Sequence, residues 1–217
     1  MIKRILGLTL LALSLGAQAQ ATLGSNLIVN GDAESGTAGW TGFDGYSMFQ
    51  SVDYGSNWVL PTQPGPVDRG SKMFAGLTAQ AAGFQTVSLG ALAGQSLHYD
   101  LSGYLGGWAA QGDNALLYVS FLDGVGNEIG SASIGPVTPA DRGNQTGLFL
   151  RTASGELPTG TAALQFSLSM ERLGGGDNDG YADNLSFVVT SVPEGSTLAY
   201  ALAGLGLLGG VAVRRRR

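Results

Sequence analysis

The chain of 217 residues contains 0 Cys and 1 His. Without cysteine no disulfide staples the fold and no thiolate serves as nucleophile or ligand, and a single histidine excludes a multi-histidine zinc site. Charge is scarce, at 12% of residues, and one-sided: residues 22–191 hold 5 Lys/Arg against 15 Asp/Glu. So acidic a stretch argues against nucleic acid or anionic lipid as partners, but it is compatible with divalent cations. Strong helix formers are thin in the same stretch and Gly is abundant, 36 in the whole chain, which argues against a helical domain. There is no internal repeat of propeller or solenoid length and no Gly-x-Ser-x-Gly nucleophile elbow.

The two ends carry what the middle lacks. Residues 196–213 form an uncharged, largely apolar run. As a helix it would rise about 27 Å, close to the thickness of bilayer hydrocarbon. Arg214, Arg215, Arg216 and Arg217 follow and are costly to translocate, so the C-terminus is expected to stay in the cytoplasm and everything before Pro193 to lie outside. At the other end Lys3 and Arg4 precede an apolar stretch too short to span, and Ala17-Gln18-Ala19 offers a small-x-small cleavage site. The expected organisation is a signal peptide over 1–21, one domain over 22–191 and a C-terminal segment over 192–217.

Within 22–191 apolar residues recur at every second position. Leu97, Tyr99, Leu101 and Leu105 point one way while Ser96, His98, Asp100, Ser102 and Tyr104 point the other. Leu117, Val119 and Phe121 repeat the pattern, as do Leu164, Phe166, Leu168 and Met170, and residues 185–189 read as a last strand. Turn pairs such as Asp123-Gly124 and Gly135-Pro136 separate them. Short strands between such turns predict an all-β, antiparallel β-sandwich.

Val192, Pro193, Glu194, Gly195 and Ser196, with the apolar helix and the terminal arginines, resemble the PEP-CTERM sorting signal, although Gly195 replaces the second proline of that motif. The resemblance implies an exosortase as a partner, and the Ala17-Gln18-Ala19 pattern at the other end adds signal peptidase. The resemblance also implies a precursor anchored in the membrane by its C-terminal helix and a product at the cell surface or in the extracellular matrix. A plain, uncut anchor is the alternative.

The segment 26–34, followed by Gly39-Trp40, and the segment 180–187 resemble the opening and closing motifs of galactose-binding-like jelly-roll domains, including carbohydrate-binding modules. In such domains first and last strands lie side by side and a structural calcium sits between them. The resemblance implies carboxylates from Glu34 and Asp183, a backbone carbonyl from Asp32 and a further acidic ligand at Asp68. Calcium takes six to eight oxygens, and such a clip would stabilise a domain with no disulfide. The alternative is that these acids are ordinary turn and hairpin residues. Asp177-Asn178-Asp179-Gly180 lacks the downstream glutamate and helices of an EF-hand and reads as a flexible turn.

No catalytic set emerges. His98 reads as a surface strand residue, nothing in the sequence assembles it with Asp100 or Asp113 into a triad, and the acids fall mostly in Gly-rich turns rather than in apolar settings that would raise a pKa. Aromatics point to binding instead. Trp58, Tyr104 and Trp108 lie in or near predicted loops among amides and acids, and ring faces beside hydrogen-bonding groups are what a sugar surface uses. Tyr104, Trp108, Gln111, Asp113 and Asn114 form the candidate ligand site, while Trp40 is expected in the core. The sequence thus reads as an exported, non-enzymatic protein associating with exopolysaccharide, the alternatives being an envelope spacer with no glycan ligand or a secreted glycan-active hydrolase.

Overall fold

The computed structural model describes residues 21–55 and 57–192. The expected signal peptide up to residue 20, the expected sorting residues Pro193, Glu194, Gly195 and Ser196, and the expected membrane helix lie outside the described residues. Among those described, no helix is long and apolar enough to cross a membrane.

Ten strands make up the domain: β1 (Thr41–Gly42), β2 (Gln50–Asp53), β3 (Lys72–Ala75), β4 (Gln80–Ser88), β5 (Leu97–Gly107), β6 (Asn114–Leu122), β7 (Glu128–Ile134), β8 (Gly147–Glu156), β9 (Ala163–Glu171) and β10 (Tyr181–Ser191). They pair antiparallel into two five-stranded sheets, β1-β4-β9-β6-β7 and β2-β3-β10-β5-β8. From β3 onward the chain crosses from one sheet to the other at every connection except the β6–β7 hairpin, and the first and last of the eight strands are neighbours, which is jelly-roll connectivity. The alternation predicted in β5, β6 and β9 matches the observed burial. β10 begins four residues earlier than the predicted 185–189, because Tyr181 and Ala182 already pair with β3 and β5.

The inner faces meet in one core. Tyr99, Phe121, Phe166 and Phe187 pack there with ring centroids 5.3 to 6.4 Å apart. Trp40 is buried beside Phe49 and Phe74 in edge-on contacts at 5.4 and 5.9 Å. Such burial, at roughly 25 cal/mol per Å² of apolar surface, replaces what disulfides would supply.

β3 covers only the first residues of β10. Beyond them the chain start takes its place: the amides of Gly24 and Leu27 donate to the carbonyls of Val189 and Phe187, and Asn26 bonds Leu185 and Phe187. The change of partner coincides with a register shift between Asp183 and Ser186, where Asn184 has φ +47°. Gly31 fits there because a Cβ would run into the carbonyl of Leu185.

A second apolar cluster lies on the outer side of the β10 sheet. Met73, Ala75, Leu148 and Tyr181 are sealed by the loop between β2 and β3, whose Val59 is fully buried and whose Pro64 carbonyl accepts from the Leu148 amide.

Candidate functional site

That loop creates a cleft. Where β2, β3, β10 and β5 begin or end, Trp58 and Trp108 border a cavity of about 530 Å³ with Gln50, Asn57, Leu77, Asp177 and Asp179. Both indoles rest on the second cluster and stay partly exposed, and Trp58 meets the Tyr181 ring edge-on at 6.1 Å. Anchored rings with exposed faces are pre-organised for stacking, and the amides and acids beside them supply directional hydrogen bonds.

Buried polar groups hold this rim. Arg142, 2% exposed, donates to the carbonyls of Trp108, Ala109, Gln111 and Val137. Among the described residues it forms no ion pair, and burial draws its pKa down against the opposing pull of Asp113. Thr146 Oγ1 accepts from the Ala109 amide at 3.0 Å, so the segment carrying Trp108 is clamped from two sides. Asp113 is fully buried and accepts from the amides of Leu173, Gly174 and Asp179 at 2.7 to 3.0 Å. Asp179 takes the Tyr181 hydroxyl at 2.6 Å, and its carboxyl is held above the ordinary range mainly by burial. Asn178 ties Thr78 to Met170, so the segment expected to be a flexible turn is pinned at its C-terminal half.

Of the five residues expected to bind ligand, the structure brings Trp108 to the cleft. Tyr104 sits half-buried in the second cluster, and Asp183 faces it across the β5–β10 pair. Gln111 packs against Gly174 and Gly175, Asn114 starts β6, and Asp113 is committed to backbone amides. Trp58 reads from the sequence as a loop aromatic, whereas no sequence pattern points to Asn57, Gln50, Leu77, Asp177 or Asp179 as site residues. The run of glycines before Asp177 was the available sign that a loop of β9–β10 closes on this rim.

The four acids expected at a metal fall into two settings. The Asp183 carboxyl is fully buried, accepting from the Tyr54 hydroxyl and the Asn184 amide. Burial first, with the charges of Asp32 and Glu34 added, pushes its pKa up to about 7. Glu34 Oε1 accepts from the amides of Ser71 and Lys72, both at 2.7 Å, tying the opening turn to β3. Asp68 is held by Asn184 Nδ2 at 2.9 Å and lines, with Asp32, a polar hollow of about 370 Å³. Among the described residues no three acidic or histidine side chains converge to hold an ion by themselves. The donors at Asp183 and Glu34 are nonetheless all oxygen, and no Lys or Arg among the described residues pairs with Asp183, so a hard cation completed by backbone carbonyls fits the charge. His98 lies on an outer face with Nε2 3.7 Å from Asp100.

The chain matches no protein-family model and no curated protein sequence. Among solved structures it is similar to the enzymatically active domain of tailspike protein 4 of bacteriophage CBA120, with TM-score 0.53 and 14% identity over 76% of this chain and 21% of that one. It therefore spans about a fifth of the tailspike chain, and the similarity is one of fold. Other similar structures include carbohydrate-binding modules. The CBM22-1 xylan-binding domain of Paenibacillus barcinonensis Xyn10C has TM-score 0.45 and 16% identity over 82% of this chain and 99% of that one. The C-terminal family 22 module of Clostridium thermocellum Xyn10B has TM-score 0.43 and 14% identity over 76% and 99%.

Proposed function

We propose that this sandwich is a non-catalytic carbohydrate-binding domain whose cleft between Trp58 and Trp108 takes a polysaccharide chain. The observation that carries the reading is the pairing of two anchored, partly exposed indoles with amide and carboxylate groups on one rim. Indole faces stack on the apolar C–H faces of sugar rings, while Asn57, Gln50 and Asp177 are placed to take hydroxyls. In this reading the protein is exported, freed of its leader by signal peptidase, sorted by an exosortase at 192–217, and associates with exopolysaccharide at the cell surface or in the matrix. Calcium held by Asp183 and Glu34 with the Asp32 carbonyl supports the fold beside β10, and Asp68 contributes from the adjoining hollow.

Affinity electrophoresis through gels containing polysaccharide from the native envelope tests the cleft. The wild type is expected to be retarded, and Trp108→Ala to lose at least tenfold in affinity while its circular dichroism shows a retained fold. Equal migration of the two proteins would overturn the site. Intact mass analysis of the protein from its native envelope tests the two processing steps, and a mass that retains residues 1–217 would remove both.

A further inference from the structure

The cleft is lined by two acids and by no base. Asp177 and Asp179 share its wall with the indoles and with the amides of Gln50 and Asn57. Two guanidinium groups adjoin it without lining it. Arg142 is buried behind the rim with its donors turned to carbonyls, and the exposed Arg172 donates from Nη1 to the Gly176 carbonyl at 2.6 Å. A third carboxylate, Asp113, is sealed among backbone amides, so Arg142 offsets one of three buried or lining acids and negative charge remains in excess.

Asp179 stands out within this wall. It is only 8% exposed, its Oδ1 accepts from the Tyr181 hydroxyl, and its Oδ2 has no hydrogen-bond partner among the described residues. Burial first, with the charges of Asp113 and Asp177 added, makes its ionised form costly. A carboxylate oxygen in such a setting calls for a donor from whatever occupies the cleft. A hydroxyl would supply the hydrogen bond alone, whereas an ammonium supplies the bond and the missing positive charge, in a charge-assisted contact about twice as strong as a neutral one.

We propose that the polysaccharide taken by this cleft carries free amino groups, with the ammonium of a sugar at Asp177 and Asp179 while the sugar rings stack on Trp58 and Trp108. The inference rests on the cleft reading and names its ligand class. A ring stacked on an indole turns its equatorial substituents sideways, toward the groups that flank the indole, and an ammonium beside an indole gains from its π face as well. The domain as a whole favours the same partner: with 5 Lys/Arg against 15 Asp/Glu over residues 22–191 it attracts a polycationic chain and repels one built of uronic acids or sulfated sugars.

Calorimetric titration of the full-length protein in a non-glycosidic detergent, at pH 6 and low ionic strength, tests this with cellohexaose, glucosamine hexaose and N-acetylglucosamine hexaose. The three share one β-linked backbone and differ only in the substituent beside the glycosidic carbon. Glucosamine hexaose is expected to bind at least tenfold more tightly than either of the others, with an advantage that shrinks as salt is added. Asp177→Asn and Asp179→Asn are each expected to cut that ratio at least threefold. Asp177 is exposed, so its variant keeps the test decisive if Asp179→Asn fails to fold. Glu156→Gln, an exposed acid paired in register with His98 at the far end of β5, is expected to leave the ratio as it is. Equal affinities for glucosamine hexaose and cellohexaose, both lost in Trp108→Ala, would overturn the amine preference and leave the cleft standing. A ratio that falls as far in Glu156→Gln as in Asp177→Asn would show unspecific ion pairing and would also overturn it. Binding of glucosamine hexaose that Trp108→Ala does not weaken would overturn the cleft reading and the preference together.

Discussion

Arg142→Met lowers the melting temperature by about 8–16 °C and releases the segment that carries Trp108. The guanidinium serves four carbonyls, and methionine fills similar volume while serving none, so those of Ala109, Gln111 and Val137 lose their donor and that of Trp108 keeps the Gln111 amide. A buried acceptor left without a partner costs on the order of 1–3 kcal/mol, and partial access to water at the rim reduces the sum to about 4 kcal/mol. In a domain of this size each kcal/mol is worth about 2–4 °C. Arg142→Lys keeps the charge but places one ammonium where a planar fork reached four acceptors, so it is expected to recover less than half of the loss. Differential scanning calorimetry with glycan titration checks both effects. An unchanged melting temperature for Arg142→Met would show that the clamp is not structural.

The second large effect concerns Asp183. Its folded-state pKa of about 7 lies above the ordinary 3.8, so the folded protein holds this proton more tightly than the unfolded chain does. The resulting stabilisation is fully present below about pH 4 and is lost as pH rises through 7, amounting to about 4 kcal/mol. In chelator the protein is therefore expected to melt at a higher temperature at pH 5.5 than at pH 8. Calcium at the proposed site is expected to act in the opposite sense because it favours the carboxylate, raising the melting temperature by several degrees at pH 8 and little at pH 5.5. Asp183→Asn removes both the calcium response and most of the pH response. Asp179, whose pKa is also raised, contributes in the same direction and is unaffected by that substitution, so the comparison with Asp183→Asn isolates Asp183. Asp123, Glu128 and Asp141 are held low by hydrogen bonds, so their contribution is lost only at more acidic pH. Identical pH and calcium responses in wild type and Asp183→Asn would remove Asp183 from the proposed metal site.

The strands legible in the sequence were those whose inward positions are large. Leu117, Val119 and Phe121 of β6 and Leu164, Phe166, Leu168 and Met170 of β9 show the alternation directly. β4 hid because Ala81 and Gly83 hold inward positions and the polar Gln85 is turned inward to bond Val29. β7, with Ala132 inward and serines outward, offers equally little contrast. The site was half legible for a similar reason. Trp58 and Trp108 stood out as loop aromatics, but their meeting depends on a loop of β2–β3 folding across the sheet to Leu148, a contact between residues far apart in sequence. Asp113 misled, since an acid in a polar run looks like a ligand residue until its three amide partners from the β9–β10 connection are seen. Arg142 precedes Gly143 and Asn144, a turn-forming pair that gives no sign of a buried clamp, and only its burial exposes its role.

A glycan array probed with the wild type and with Trp58→Ala/Trp108→Ala is the most direct test that this cleft binds sugar. The expected result is retention on extended polysaccharides by the protein with both tryptophans and its loss in the double tryptophan variant, with both proteins folded. Retention that survives loss of both indoles, or no retention on any glycan with the indoles present, would contradict it.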